Sequence, residues 1–404
     1  MDSKSIKIEF SAGPVLAIGL MSGTSHDGIS AAVVEVDECQ RPPAKAIVFR
    51  TFAYPTAFRL RLLAASSEEQ VGADVISSLH FELGALFGRA AISIAKAARV
   101  PLAKIAFIGS HGHTFFHLPP RRARRNQTAS TLQLGESALI AAITGRPVVA
   151  DFRPMDMALG GEAAPLAPLA HLWLFAHPRL GRVIQNIGGI GNATYVPPDA
   201  RLGNPDLIAF DTGPGGMLID ALAHEQTNGR LRFDRDGRLA ARGQINEAML
   251  AELMRNRYFK RRPPKSTGRE EFGAPFLLEI RRLAHRFRVS GNDLMATVTA
   301  LTARSIADAC RRFIVPRGRV DQLIATGGGS RNPILMKMIA TELPGVEVIT
   351  AEKAGVNGEA LEAIAFAILG YEMLHGRQGN IPTVTGASRP ALLGKLTLPP
   401  TPAK

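Results

Sequence analysis

"AIGLMSGTSHDGIS", Ala17 to Ser30, interrupts an otherwise apolar region. The run into Met21 and the run from Ile29 onward read as two core strands. Between them stand Ser22, Gly23, Thr24, Ser25, a His-Asp pair and Gly28. Glycine lets a backbone take positive φ and approach a ligand closely. Successive amides in such a turn form a concavity for anions, and Ser22, Thr24 and Ser25 add hydroxyl donors. The plainer alternative is a hairpin turn, for which Asp27-Gly28 is a favoured pair. A plain hairpin does not need the hydroxyls ahead of that pair, yet on this stretch alone both readings stay open. It is not a Walker loop, because no Gly-Lys-Ser/Thr follows.

The same grammar recurs. "RVIQNIGGIGNATYVPP", Arg182 to Pro198, is a second strand–turn–strand unit with a glycine-rich turn in "NIGGIGNAT", Asn186 to Thr194. Two such turns facing each other could clamp one polyphosphate. "DLIAFDTGPGGMLIDALAHEQ" runs as a strand into Asp211, and a helical pattern starts at Met217. "DQLIATGGGSRNPILMKMIATEL" repeats that logic, with a strand to Thr326, then Gly327, Gly328 and Gly329, then a helix. A helix over Glu136–Thr144 and a strand over Pro147–Ala150 lie between the first two units. Strands alternating with helices make the class α/β. Two hairpins, each opening its own α/β run, predict two related domains. The boundary is expected near Asp156: residues 1–155 form an N-terminal α/β domain, and residues 156–404 a C-terminal one whose tail can pack back on the first.

Composition narrows the class. The 404 residues are 46% hydrophobic and 21% charged, a globular balance. The formal charge is +13. Much of the excess sits in short clusters, Arg121, Arg122, Arg124 and Arg125, then Lys260, Arg261, Arg262 and Lys265, which read as solvated loops. Low aromatic content and the lack of a reader motif argue against nucleic acid. Cys39 and Cys310 are the two cysteines, neither a disulfide framework nor a zinc signature, so a cytoplasmic location is expected. The first residues lack an apolar segment of signal-peptide length, and no stretch reads as long enough to span a bilayer.

Several residues could carry chemistry. Asp211 is expected at the C-terminal end of a strand, where open α/β sheets bind ligands, and a carboxylate there can act as general base. Its plain alternative is a turn-forming Asp. The glycines at 327–329 open a helix and suit an adenosine diphosphate pocket, or only a tight turn. "SHGHTFFH" holds His111, His113 and His117. No H-E-x-x-H grammar accompanies them, so a polar pocket wall is the reading rather than a metal site. "ADFRPMDMALGGEAAPLAP" places Asp151, Arg153, Asp156 and Glu162 after a strand. That cluster suits sugar hydroxyls or a carboxylate held through Arg153, or an interdomain ion-pair loop.

Ten ordered blocks resemble the anhydro-N-acetylmuramic acid kinase family: "GLMSGTSHDGI", "GSHGHT", "TLQLGESALIA", "VVADFRPMDMALGGEAAPLAP", "NIGGIGNATYV", "FDTGPGGMLID", "STGREEFG", "TGGGSRNPILM", "EALEAIAFAIL" and "GNIPTVTGASRPALLG". They run from about Leu16 to about Gly394. The family belongs to the hexokinase, actin and heat-shock chaperone ATPases. The resemblance therefore implies two related α/β domains of actin-like, ribonuclease H-like build, with ATP in the interdomain cleft. It implies an enzyme that takes 1,6-anhydro-N-acetylmuramic acid, ATP and water in cell-wall recycling. Such an enzyme opens the anhydro bridge and phosphorylates O6, giving N-acetylmuramic acid 6-phosphate. A levoglucosan-type kinase and a non-catalytic ATP-dependent switch are the alternatives.

By that resemblance, Asp211 is the base that activates water. Ser22, Gly23, Thr24, Ser25, Asp27 and Gly28 form the first phosphate loop, and Gly188, Gly189 and Asn192 the second. Gly327, Gly328 and Gly329 form the adenosine-side loop. His111, Arg153, Asp156 and Glu362 fall on the sugar side. Asp27 would hold Mg2+ through water. A homodimer without nucleic-acid or membrane partners is implied. This chain departs from the family's usual pattern at His26, Ser30, His113 and Gly216, which leaves the exact sugar less specified than the reaction.

Overall fold

The computed structural model describes residues 13–23, 26–67 and 70–401. Its strands are β1 (Val15–Ser22), β2 (Gly28–Val36), β3 (Ala44–Ala53), β4 (Phe107–Leu118), β5 (Ser130–Leu134), β6 (Val148–Ala150), β7 (Arg182–Ile187), β8 (Ile190–Val196), β9 (Ile208–Pro214), β10 (Gln322–Thr326), β11 (Glu347–Thr350) and β12 (Lys395–Thr397). The chain divides into two compact units, Met1–Leu174 with Glu359–Lys404, and Phe175–Gly358. That division differs from the one read off the sequence pattern. Residues 156–174 join the first unit, and so does the C-terminal segment.

The first unit holds a seven-stranded sheet in the order β12-β6-β4-β1-β2-β3, with β5 paired to β4. β1 pairs antiparallel with β2 and parallel with β4. β2 pairs antiparallel with β3, and β4 parallel with β6. β1 and β2 are buried nearly throughout, as strands covered on both faces must be. One cover is the helix Ala73–Ala97, which packs Leu83, Phe87 and Ile94 against Ile18, Leu20 and Val33. The other is the helix Leu361–Leu374. A Cβ on Gly19 would lie 1.8 Å from Ala363 O, and one on Gly109 would lie 2.1 Å from Phe366 O. These two glycines let the helix Leu361–Leu374 press onto the sheet, which is why the C-terminal segment belongs to this unit. β12 extends the same sheet by pairing with β6.

The expectation that no stretch could span a bilayer overlooked Ala73–Ala97, which has the length and apolarity to do so. Its apolar character is explained by the sheet it covers. The segment "STLQL", for which the sequence offered no strand, is β5. It pairs with the outer half of β4, which bulges between Thr114 and Phe116. Glu136 caps the helix Ser137–Thr144, its side chain accepting from Ala138 N at 2.7 Å.

The second unit has a five-stranded sheet, β11-β10-β7-β8-β9. β7–β8 and β8–β9 are antiparallel, whereas β7–β10 and β10–β11 are parallel. β3-β2-β1-β4-β6 of the first unit has the same order and the same strand senses. Both units therefore repeat one ribonuclease H-like build, a meander of three strands followed by two parallel ones. Val183, Ile187, Tyr195, Phe210 and Leu323 pack with Ile306 and Ile339 from the helices Gly291–Ala309 and Pro333–Glu342. A second cluster gathers the helices Met217–Gln226 and Ala274–Phe287 around Tyr258, Phe259 and Phe272.

Candidate active site

In the first unit, β1 ends at Ser22 and β2 begins at Gly28. Thr24 and Ser25, expected as phosphate donors, lie outside the described residues. Gly23 O accepts from His26 N, and His26 takes a left-handed φ of +55°. The Ser22 hydroxyl is turned into the unit. It accepts from Tyr54 OH at 2.6 Å and faces His113 Nδ1 at 3.2 Å. The His113 and His26 rings stand 4.8 Å apart. Burial pushes His113 down to about 4 and lowers His26 as well, so both imidazoles are neutral at pH 7. Asp27 is exposed, with Arg59 at 3.4 Å. Gly28 is demanded by the sheet, because a Cβ there would sit 2.2 Å from Phe52 O.

The turn at Gly188–Gly189 in the second unit is held by its own carbonyls. Gly188 O accepts from Gly216 N at 2.7 Å, and Gly189 O from Gly215 N at 2.9 Å. This ties the turn to the start of the helix Met217–Gln226. A Cβ on Gly188 would meet nothing nearer than 3.6 Å, and one on Gly189 nothing nearer than 3.7 Å. Neither residue has positive φ. Gly327 does, at +77°, and a Cβ on Gly329 would strike Ile187 Cγ2 at 2.3 Å. Around Gly328 nothing lies within 4 Å. Asn332 then caps the helix Pro333–Glu342 through Ile334 N and Leu335 N, both at 3.1 Å.

Asp211 lies inside β9, not at its end as the sequence suggested, because the strand continues to Pro214. It stands opposite Asn192 of β8, where the register shifts. Its surroundings come from a segment far along the chain. Thr267 N donates to Asp211 Oδ2 at 2.9 Å, Tyr258 OH donates to Asp211 O at 2.7 Å, and Asp211 N donates to Lys265 O at 3.1 Å. Tyr258 and Thr267 had no assigned role in the sequence, and Lys265, expected there in a solvated basic loop, is instead buried beneath aromatic rings. The block "STGREEFG" was visible, but nothing local pointed it toward Asp211.

The first unit gathers His111, Arg153, Asp156 and Glu362. Arg153 Nε donates to His111 Nε2 at 3.0 Å, and His111 Nδ1 donates to Gly112 O at 3.1 Å. His111 is thus a neutral tautomer with both nitrogens engaged. Burial first, then the Arg153 charge, holds it well below its ordinary value. Burial lowers Arg153 to about 10, opposed by Glu362 and Asp156. Glu362 keeps contact with solvent, and its carboxyl is pushed upward by desolvation against the pull of Arg153. Asp156 is completely buried. Oδ2 accepts from Ala163 N at 2.8 Å, and Oδ1 accepts from Asn380 Nδ2 at 2.8 Å and Thr385 Oγ1 at 2.7 Å. His117 instead faces Thr131 Oγ1 at 3.1 Å. Among the described residues no group of three His, Cys, Asp or Glu side chains could hold a metal ion.

Two units of one ribonuclease H-like build, each with a glycine-bearing hairpin between its first two strands, define the actin and sugar-kinase class of ATP-using proteins. A family model described as anhydro-N-acetylmuramic acid kinase matches residues 15–399. A curated relative of that name from Caldanaerobacter subterraneus subsp. tengcongensis is 43% identical over 95% of this chain and 97% of its own. Another from Clostridioides difficile is 41% identical over 95% and 98%. Component A of (R)-2-hydroxyglutaryl-CoA dehydratase from Acidaminococcus fermentans overlays with a TM-score of 0.46 at 12% identity, covering 89% of this chain and 99% of that one. That overlay is too loose to carry an assignment, which rests on the family match. The chain belongs to the anhydro-N-acetylmuramic acid kinase family and is a phosphotransferase that uses ATP.

Proposed function

We propose that the chain phosphorylates 1,6-anhydro-N-acetylmuramic acid with ATP and opens its anhydro bridge with water, giving N-acetylmuramic acid 6-phosphate for cell-wall recycling. The observation that carries the nucleotide part is at Gly188, Gly189 and Gly328. Neither φ nor neighbouring atoms of the chain demand glycine there. Gly28, Gly327 and Gly329 are glycines for reasons of the fold. The absence of a side chain at the first three is accounted for by a ligand that approaches the backbone. Phosphates suit the turn, since backbone amides in such concavities bind anions.

Asp211 is the base. Its carboxylate takes a proton from water as the water oxygen bonds to the anomeric carbon. The bond from that carbon to the bridge oxygen breaks, and the released O6 takes the γ-phosphoryl group of ATP while ADP leaves. An oriented carboxylate contributes roughly 10²–10⁴-fold, and Thr267 N supplies orientation by holding one oxygen. Asn192, opposite Asp211, belongs to the same corner of the second unit.

On the sugar side, Arg153 and Glu362 are the groups with charge to offer, the guanidinium suiting the lactyl carboxylate. His111 orients Arg153. Asp156 acts one layer back: its carboxylate anchors Ala163, whose carbonyl receives Arg153 Nη1 at 2.5 Å. Ser22 likewise serves the frame of the first loop through its hydroxyl. Asp27 fits Mg2+ only as an outer partner, because it is a single exposed carboxylate shared with Arg59. Mg2+ carried by the nucleotide would neutralise phosphate charge, with Asp27 reaching it through water. A homodimer in the cytoplasm completes the reading. Its compartment is supported by Cys39 and Cys310, which are both free thiols.

A coupled ADP-release assay tests the reaction, with anhydro-N-acetylmuramic acid, levoglucosan and free N-acetylmuramic acid as substrates. Turnover with the first alone is expected. Turnover only with the free sugar would eliminate ring opening, and preference for levoglucosan would eliminate the lactyl and N-acetyl contacts. Light scattering after gel filtration checks the dimer.

A further inference from the structure

Lys265 is a buried cation of which only 8% is exposed. Lysine is almost never buried unless paired, and its Nζ has one long hydrogen bond, to Tyr258 O at 3.4 Å. Three aromatic rings box the ammonium, Tyr258 at 4.6 Å, Phe313 at 4.8 Å and Phe210 at 5.7 Å. Phe210 precedes Asp211 on β9. The Lys265 carbonyl receives Asp211 N, Tyr258 OH reaches Asp211 O, and Thr267 N reaches Asp211 Oδ2. These three struts from the 258–267 segment to Asp211 therefore start at or within two residues of the boxed lysine or from a ring that boxes it. Desolvation lowers Lys265 to about 8, opposed by Asp308 and then Asp211 and reinforced by Arg261 and Arg312. These four, with Tyr258, are the titratable and charged groups that face it from β9, from the helix Gly291–Ala309 and its continuation, and from its own loop.

We propose that Lys265 is a positioning residue for Asp211, its boxed ammonium fixing the segment whose Thr267 N, Tyr258 OH and Lys265 O grip that residue. This rests on Asp211 being the base. An ordinary apolar anchor would need no charge, whereas one held by ring faces does. A cation between aromatic faces is attracted by their quadrupoles, so the box keeps the charge in place without a salt bridge that would neutralise it.

The test is the pH dependence of kcat for Lys265→Met and Lys265→Arg in the full chain, with ATP and the anhydrosugar, beside Asp211→Asn. For Lys265→Met, the acid limb moves up by about 1 pH unit, because a carboxylate whose Thr267 N donor is no longer held in place is protonated more readily. KM for ATP stays within about twofold, and Lys265→Arg restores the acid limb. The arginine also carries the alkaline limb to higher pH, since a guanidinium does not deprotonate. If Lys265→Met does not melt cooperatively, the alkaline limb of Lys265→Arg decides alone. An acid limb left in place in Lys265→Met, or an alkaline limb left in place in Lys265→Arg, overturns the proposal. Near-normal turnover in Asp211→Asn would instead overturn the base reading itself.

Discussion

Asn192 and Asp211 stand opposite one another across the β8–β9 pair, at the point where the register slips by one residue. Thr212 is the extra residue, and its Oγ1 accepts from Gln185 Nε2 of β7 at 3.2 Å. Bulges of this kind re-aim side chains beside functional positions. Here the bulge lies where the glycine turn and the carboxylate meet.

Asp211→Asn should leave the fold intact, because an amide oxygen can still accept from Thr267 N. kcat should fall by roughly 10²–10⁴-fold or more, with ATP affinity by calorimetry within about twofold of the parent. Near-normal turnover would remove Asp211 from the mechanism.

Two adjacent glycines should behave in opposite ways. Gly328→Ala meets no atom of the chain, so the melting temperature holds while nucleotide affinity drops by about tenfold as the methyl meets the ligand. Gly329→Ala forces a methyl into Ile187. Overpacking of that kind costs about 1–3 kcal/mol, visible as a lower melting temperature before any ligand is added. A Gly328→Ala protein with unchanged nucleotide affinity would show that no ligand approaches that loop.

Asp156→Ala strands the buried Ala163 N and leaves Asn380 Nδ2 and Thr385 Oγ1 with only their longer bonds to Arg389 O and Ile381 O. The expected loss is about 2–4 kcal/mol, one stranded buried donor and two weakened bonds, read from urea unfolding. Thr385→Val removes one of the three and should cost about 1 kcal/mol. If Asp156→Ala were as stable as the parent, the anchoring role would be wrong.

Acid should weaken the first unit in a defined window. Burial holds His113 at about 4 and His171 at about 3, both below the ordinary 6.5. Between those values and 6.5 the unfolded chain binds protons that the native chain cannot. Stability therefore rises with pH across that window and is lost as pH falls from 7 to 5, by on the order of 1–2 kcal/mol for each histidine. Glu372, pushed up to about 7 by burial, acts in the opposite direction. His171→Leu isolates one contribution. Its unfolding free energy should change less between pH 7 and 5 than the parent's, and an identical pH dependence in urea titrations would falsify this account.

The strands and turns that carry the glycine loops were legible because they are written locally, whereas the long helices Ala73–Ala97, Ala274–Phe287 and Gly291–Ala309 were not read. The turn at Ser22–Gly28, the turn at Gly188–Gly189 and the glycines at 327–329 all announce themselves through neighbouring residues. β5 was missed because "STLQL" carries no strong strand signal and pairs only where β4 bulges. The length and apolarity of Ala73–Ala97 were missed because its heptads mix small and polar residues among the leucines. Ser22 looked like one of three equivalent hydroxyls, yet its partners are Tyr54 and His113, which are 32 and 91 residues away.

The sequence by itself determined the α/β class, the repeated hairpin, the glycine loops and the family, since propensity, turn chemistry and ordered motifs are properties of neighbouring residues. Tertiary structure decided which glycines the fold requires and which it leaves bare. It also decided that Asp156 is walled in while Glu362 keeps solvent contact, and that Tyr258, Lys265 and Thr267 hold Asp211 from 47 to 56 residues away. Those relations depend on burial and on hydrogen bonds between distant segments. Neither exists until the sheets have formed and packed.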